Sequence, residues 1–378
     1  MSSSTPFGCR CALLALVGLV LSGVTAARGG DRRTGLLVRT IDLQYFTTPY
    51  ERATVLGGAY MGDLGSAAST IRNPAALANL CGPDVLGYWT TDSTEGVASL
   101  TPPPVGANQQ TTAFLSDEGI YVAVPLDDFP ISAGFGGDYF ETNYYGNPTV
   151  RPAQHGSRLS AALAASVFGN VSIGYGATWF NDHFATAAWL GTAAERMANE
   201  SHSWRHRVAM FAPAGYNMRW GVQGDYGYGD GTTRLDGEAI GGRNWFETYA
   251  LRGGFQWDLT ERVTGAFDFE WSYLELNMGQ VVIGNAPHLM RYAADIYRPM
   301  VGIQLRATQN LTMRCGYRYS FYRLRTSPLL PDECDYSTVS GGARYAFWGG
   351  RAAIDWNMEH SWIAGGSLMN MLSLSCMF

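Results

Sequence analysis

The residues in this chain with the clearest chemical potential are arginines. Arg314 and Arg318 share one side of an alternating stretch with Thr312, Gly316 and Ser320. Leu311, Met313, Cys315, Tyr317, Tyr319 and Phe321 occupy the other side. Arg344 falls on what reads as the neighbouring strand. A guanidinium grips a carboxylate through two parallel N–H bonds, so Arg314, Arg318 and Arg344 are candidate carboxylate-binding residues. The competing use is internal, because enclosed arginines also pair with enclosed acids, Asp63 among them, merely to satisfy charge.

Enzymatic chemistry finds no support. There is no Gly-x-Ser-x-Gly elbow, no His-Glu-x-x-His and no phosphate-binding loop. The six histidines, His155, His183, His202, His206, His288 and His360, fall mostly where loops are expected. His202 and His206 are four apart but lie in a strand-like context, so they share no helical face and read as surface residues rather than metal ligands. Cys81, Cys315, Cys334 and Cys376 match no zinc spacing. The expectation is a protein without enzyme activity, metal or cofactor. A net charge of -6 gives no support to nucleic-acid binding.

The elements that position these side chains read as strands. From Asp84 onward, apolar and polar residues alternate in segments of about ten residues. Between Arg262 and Leu274, Val263, Phe267, Phe269, Trp271 and Tyr273 oppose Thr264, Ala266, Asp268, Glu270 and Ser272. Fourteen such segments follow one another: 84-91, 110-126, 131-140, 158-167, 171-180, 204-213, 216-226, 246-257, 261-273, 296-307, 310-323, 337-348, 350-358 and 366-378. Their connections alternate short, as at Ala214-Gly215 and Thr308-Gln309, and long, as at 181-203 and 274-295. Short turns on one rim, long loops on the other and an even strand count describe a transmembrane barrel. Aromatic residues near segment ends, such as Trp89, Trp204, Tyr226, Trp257 and Trp348, fit interfacial girdles. A secreted two-layer β-protein would alternate too, and is the soluble alternative.

The polar face is rich in arginine. Arg205, Arg207, Arg219, Arg252, Arg262, Arg298, Arg306, Arg314, Arg318, Arg344 and Arg351 are placed inward by alternation, against Asp225, Asp268, Glu270 and Asp355. The N-terminus has a different character: Arg10, an apolar run Cys11 to Leu21, then Ala26-Ala27, the layout of a signal peptide. The run is too short to span a bilayer, and no later apolar run reaches the roughly 18 residues required. In a closed barrel the first and last strands are neighbours, so a Cys81–Cys376 disulfide is one possibility, against free thiols.

Between these parts lies RATVLGGAYMGDLGSAASTIRNPAALA, residues 52 to 78. It combines Gly57-Gly58-Ala59, a run of small residues, and Asn73-Pro74-Ala75, where Pro74 suits the first turn of a short helix reaching Leu80. The spacing of those two tripeptides resembles the N-terminal hatch of the FadL-type long-chain fatty acid transporters and their PorV-like relatives. Two departures are visible: Gly65-Ser66 stand where an acidic pair is usual, and Arg72 where an aromatic is usual. The terminal face Leu372, Leu374, Cys376 and Phe378 resembles the signal read by the barrel-assembly machinery.

The resemblance implies an all-β, 14-stranded antiparallel transmembrane β-barrel, divided into signal peptide 1-27, hatch 28-83 and barrel 84-378. It implies an outer-membrane channel for hydrophobic or amphipathic molecules, long-chain fatty acids above all, among outer-membrane lipids. In that family substrates leave sideways through a third-strand defect, and Gly134, Gly136 and Gly137 are the candidate opening here. Phe184, Trp189, Leu190, Ile283 and Met290 are the candidate hydrophobic groove on the outer loops. The alternative within the resemblance is a PorV-like accessory or shuttle protein of a secretion system.

Overall fold

The computed structural model describes residues 59–63, 65–96, 111–126, 130–145, 153–190, 193–235, 238–239, 244–283, 286–325, 333–362 and 366–378. Most belong to antiparallel strands: β1 Asp84–Gly96, β2 Thr111–Leu126, β3 Ile131–Tyr145, β4 Ala153–Phe168 and β5 Val171–Leu190. β6 Ala193–Ala214, β7 Met218–Leu235, the two-residue β8 Glu238–Ala239, β9 Asn244–Thr260 and β10 Val263–Ile283 follow. β11 Ala286–Arg306, β12 Leu311–Leu324, β13 Glu333–Phe347, β14 Ala352–Ser361 and β15 Ser367–Met377 complete the wall.

Every long strand pairs with its two sequence neighbours, and β15 returns to β1 in register from Asp84↔Met377 to Thr94↔Ser367. The β8 pair only decorates β7, and β7 bonds directly to β9. The result is a closed fourteen-strand antiparallel barrel, as the alternation predicts. Closure leaves no strand edge unpaired, which a lipid environment demands of any spanning structure. No helix among the described residues is long and apolar enough to cross a membrane.

The alternation resolves into an outer and an inner face. Leu159, Leu163, Val208 and Leu251 are each more than half exposed, as are few apolar side chains in a water-soluble domain. Trp89, Trp204, Tyr226 and Tyr249 ring the same outer face nearer one rim, while Trp348 stands out at the other. Leu372 and Leu374 point outward as expected, and the Phe378 N–H donates to the Pro83 carbonyl at 2.9 Å, closing the C-terminus onto β1.

The short-turn parity holds, but two expected long loops do not. β5 and β6 remain paired to Leu190↔Ala193, and β10 and β11 to Ile283↔Ala286. A membrane strand needs only about 9–11 residues to span, and longer strands gain no further greasy face. Alternation therefore ends in the sequence before the backbone ladder does.

Residues 59–63 and 65–80 run inside this wall. Two short 3-10 turns, Ala67–Thr70 and Pro74–Asn79, bury Ala67, Ala68, Ile71 and Leu77 against Leu86, Tyr121, Ala123, Ala162, Ala164 and Met369 of the inner face. Asn73 is extended (φ -134°, ψ 91°) and Pro74 opens the second turn, as Pro-restricted backbone dictates. Gly57, Gly58 and the signal-peptide region lie outside the described residues. Cys81, Cys315 and Cys376 are free, so the Cys81–Cys376 bridge is not formed.

Candidate functional site

One contact between wall and inner segment gathers four hydrogen bonds on a single carboxylate oxygen. Asp268 Oδ2 on β10 accepts the backbone N–H groups of Tyr60 at 2.8 Å and Met61 at 3.0 Å. The same oxygen accepts Nε and Nη2 of Arg252 on β9, both at 3.1 Å. The Arg252 guanidinium in turn lies 3.7 Å over the Tyr60 ring. Sequence spacing places Asp268 and Arg252 inward but gives no sign that they hold Tyr60, because their partner lies more than 190 residues earlier in the chain.

Further down the segment, Asn73 Nδ2 donates to the Met61 carbonyl at 3.1 Å and folds the segment back on itself. Gln256 donates to Asp63, and Asp84 Oδ2 accepts the Ala67 N–H at 2.6 Å. Arg72, Arg219 and Arg314 surround Asp63 electrostatically; even so, enclosure raises its carboxyl above the ordinary range, with the arginines and Gln256 pulling the other way. Two wall glycines permit the close fit. A Cβ on Gly174 would sit 2.3 Å from the Ala75 nitrogen, and one on Gly221 2.5 Å from the Met61 carbonyl oxygen.

Charge fills much of the inner face at mid-height. Arg158 on β4 donates to Asp138 on β3 and, at 2.9 Å, to Asp117 on β2. The Tyr121 hydroxyl donates to Asp138 at 2.5 Å. Opposite them, Glu270 joins Arg252 at 3.3 Å to Arg298, which donates to it from β11, and Arg298 reaches the Tyr322 hydroxyl at 3.3 Å. Asp225 accepts Arg205 at 2.5 Å. Sequence reading does not single out the Asp117–Arg158–Asp138 group; its signal is the alternation of Asp138 and Arg158 with exposed Tyr139 and Leu159.

The three candidate carboxylate binders are placed together on β12 and β13 but are already engaged. Arg314 and Arg344 reach the two oxygens of Asp355 at 3.1 and 3.5 Å, and Arg318 meets Glu359 at 2.8 Å. The internal-pairing use is the one seen. Three other arginines expected inside, Arg262, Arg306 and Arg351, are exposed at the short-turn rim. Each sits where its strand begins or ends, and there alternation no longer fixes direction.

The third strand is not broken. Gly134, Gly136 and Gly137 pair without register shift to β2 (Ala123, Tyr121, Ile120) and to β4 (Ala162, Ser160, Leu159). All three glycines serve close approach: a Cβ on Gly134 would meet Thr70 Oγ1 at 2.2 Å, one on Gly136 the Ile120 carbonyl at 2.4 Å, and one on Gly137 the Arg158 carbonyl at 2.8 Å. Phe184, Trp189 and Leu190 stand on β5, Ile283 on β10 and Met290 on β11, so these residues belong to strands rather than loops. Their side chains lie outside the described part. Among the described residues no group of three metal-ligating side chains forms.

No family model and no curated protein matches the chain. Solved structures do. The chain is 15% identical to the Pseudomonas putida toluene transporter TodX, covering 86% of itself and 96% of that chain at a TM-score of 0.56. With the Ralstonia pickettii toluene transporter TbuX the figures are 13%, 86%, 98% and 0.55. With a Pseudomonas aeruginosa FadL homologue they are 15%, 87%, 97% and 0.57. The fold is that of the FadL-type channels.

Proposed function

We propose that the chain is an outer-membrane channel for hydrophobic or amphipathic small molecules, with residues 28-83 as its plug and 84-378 as its wall. The observation that carries this reading is the seated segment: a closed barrel whose outer face is greasy and whose interior holds residues 59–80 through specific wall contacts. A barrel built only as a scaffold would not require an internal segment tied by hydrogen bonds to both β1 and β10. The TodX and TbuX structures, described as toluene transporters, share this fold and support a hydrophobic cargo. Long-chain fatty acids and monoaromatic hydrocarbons are both within that class.

In this reading the substrate partitions from outside into the upper barrel, the plug shifts, and the substrate leaves without metal, nucleotide or covalent step. The signal peptide 1-27 and the C-terminal Phe378 serve export and assembly.

The test is uptake of radiolabelled palmitate and toluene by Gram-negative cells lacking their own channels for these compounds. Cells producing the chain are expected to accumulate at least one of the two faster than cells without it. Detergent-dependent solubility and heat-modifiable gel migration check that the barrel is folded. A folded barrel that moves neither compound, and that co-purifies with a secreted protein, selects the accessory reading instead.

A further inference from the structure

Two histidines face each other on the outside of the wall. His155 on β4 and His183 on β5 are register partners, and their ring centroids stand 4.9 Å apart with the planes tilted by 42°. The row continues one strand further on each side, with Glu141 opposite His155 from β3 and Glu200 opposite His183 from β6. Carboxylate, imidazole, imidazole and carboxylate thus cross four consecutive strands. Glu200 Oε1 lies 3.8 Å from His183 Nδ1, while Glu141 accepts the Asn143 side-chain N–H at 2.8 Å.

The other described histidines are placed differently. His202 lies nearly parallel to the Trp179 ring (9°) and His206 to the Trp204 ring (13°), with His206 Nδ1 2.6 Å from the Tyr175 hydroxyl. His360 meets Trp362 edge-on. Each of these leans on an aromatic ring, whereas His155 and His183 have one another. With metal–nitrogen bonds of about 2.0–2.1 Å and an angle of roughly 90–109° at the ion, two imidazoles on one metal stand about 4.5–5.2 Å apart, centroid to centroid. The observed 4.9 Å falls inside that span.

The pair also stands above the greasy band. His183 is twelve residues along β5 from Val171. At about 3.3 Å per residue and a tilt near 40°, that is roughly 30 Å above the short turn, and the apolar band is about 25 Å tall. Outward residues change character at the same level: Leu163 and Leu159 give way to Ser157 and His155 on β4, and Trp179 gives way to Asn181 and His183 on β5. His155 is exposed and the His183 side chain is 35% exposed, so an ion reaches both from the outer water without entering lipid or lumen.

We infer that His155 and His183 hold a borderline-soft divalent ion, Zn²⁺ or Cu²⁺, on the outer rim of the barrel. Imidazole suits these ions, and Mg²⁺ and Ca²⁺ prefer oxygen. Glu200 is a positioning residue: a carboxylate beside Nδ1 fixes the ring and its tautomer and leaves Nε2 for the metal. No third ligating side chain joins the pair among the described residues, so water completes the shell and the ion exchanges with the medium. The site is outside the lumen and independent of the cargo.

The experiment uses the folded barrel in detergent, without a histidine tag and with Cys81, Cys315, Cys334 and Cys376 replaced by Ser. Zn²⁺ is titrated by calorimetry, and Cu²⁺ is followed by electron paramagnetic resonance, which counts nitrogen ligands. The double variant His155→Ala/His183→Ala sets the baseline, and heat-modifiable migration checks folding. Above that baseline the parent is expected to bind one equivalent of either ion per chain, with two nitrogens on Cu²⁺. Each single variant is expected to weaken binding at least tenfold and to remove one nitrogen, and His360→Ala to change neither. Glu200→Gln is expected to lose about 10–100-fold in affinity while both nitrogens stay.

Equal binding by the parent and the double variant overturns the site. A loss in His360→Ala as large as in His155→Ala also overturns it, since binding is then scattered over surface histidines. Unchanged affinity in Glu200→Gln overturns the positioning role.

Discussion

Asp268 and Tyr60 are 208 positions apart, yet the carboxylate of one accepts the backbone N–H of the other at 2.8 Å. Because the bond is to backbone, it holds the segment whatever side chain stands at 60, while Arg252 adds its contact with the ring. Removing Asp268 leaves an Arg252 with fewer partners and two inner N–H groups unanswered. Breaking an enclosed pair from one side costs about 3–5 kcal/mol. Asp268→Ala is expected to raise hydrogen exchange sharply at Tyr60 and Met61 while most wall amides stay protected, as mass spectrometry in detergent would show. Equal protection of 59–61 in variant and parent would remove Asp268 from the anchoring role.

The glycine seat makes a separate prediction. A methyl at 174 cannot coexist with the Ala75 nitrogen 2.3 Å away, and both partners are backbone, so neither can rotate aside. Overpacking of this kind costs about 1–3 kcal/mol. Gly174→Ala is expected to loosen Pro74–Asn79 and leave barrel closure intact. Proteolysis near residue 75 should become faster in the variant, with unchanged heat-modifiable migration.

The wall was legible in the sequence and the interior much less so. Val263 to Tyr273 alternate because one side meets lipid, and period two survives any detail of packing. The arginines show the limit. Alternation places Arg314, Arg318, Arg344 and Asp355 on the right face, yet it does not say which pairs form: Asp355 and Glu359 take the three arginines up from β14. Arg262, Arg306 and Arg351 escape alternation because they sit at strand ends. The glycines of β3 illustrate a further ambiguity: an absent side chain permits a bulge or a close neighbour equally, and Thr70 is the neighbour.

In the mid-height group, Asp117 and Asp138 share Arg158 but not equally. Asp138 accepts Arg158 Nε and the Tyr121 hydroxyl, whereas Asp117 has one close bond, to Arg158 Nη2 at 2.9 Å, and an oxygen without a partner. Asp138→Asn is therefore expected to destabilise the barrel more than Asp117→Asn. Arg158→Leu should exceed both, by about 3–5 kcal/mol, since it strands two carboxylates in the wall interior. Urea unfolding in lipid vesicles, followed by tryptophan fluorescence, gives the order; a larger loss for Asp117→Asn than for Asp138→Asn contradicts it.

Asp63 connects the segment to pH. Enclosure raises its carboxyl above the ordinary value, and Arg72, the Gln256 bond, Arg314 and Arg219 reduce the rise without cancelling it. With the seated value above the free one, the seated form binds the proton more tightly. Seating is then strongest below the ordinary carboxylate range and weakens as pH climbs through the raised value, where keeping the carboxylate ionised and enclosed costs free energy. Asp63→Asn retains an acceptor for Gln256 and carries no charge. Exchange rates at 59–63, corrected for intrinsic chemistry, are expected to rise with pH in the parent from the acid range upward and to stay flat in Asp63→Asn. A parent whose corrected rates fall with pH over that window would show that the arginines, not enclosure, govern this carboxyl.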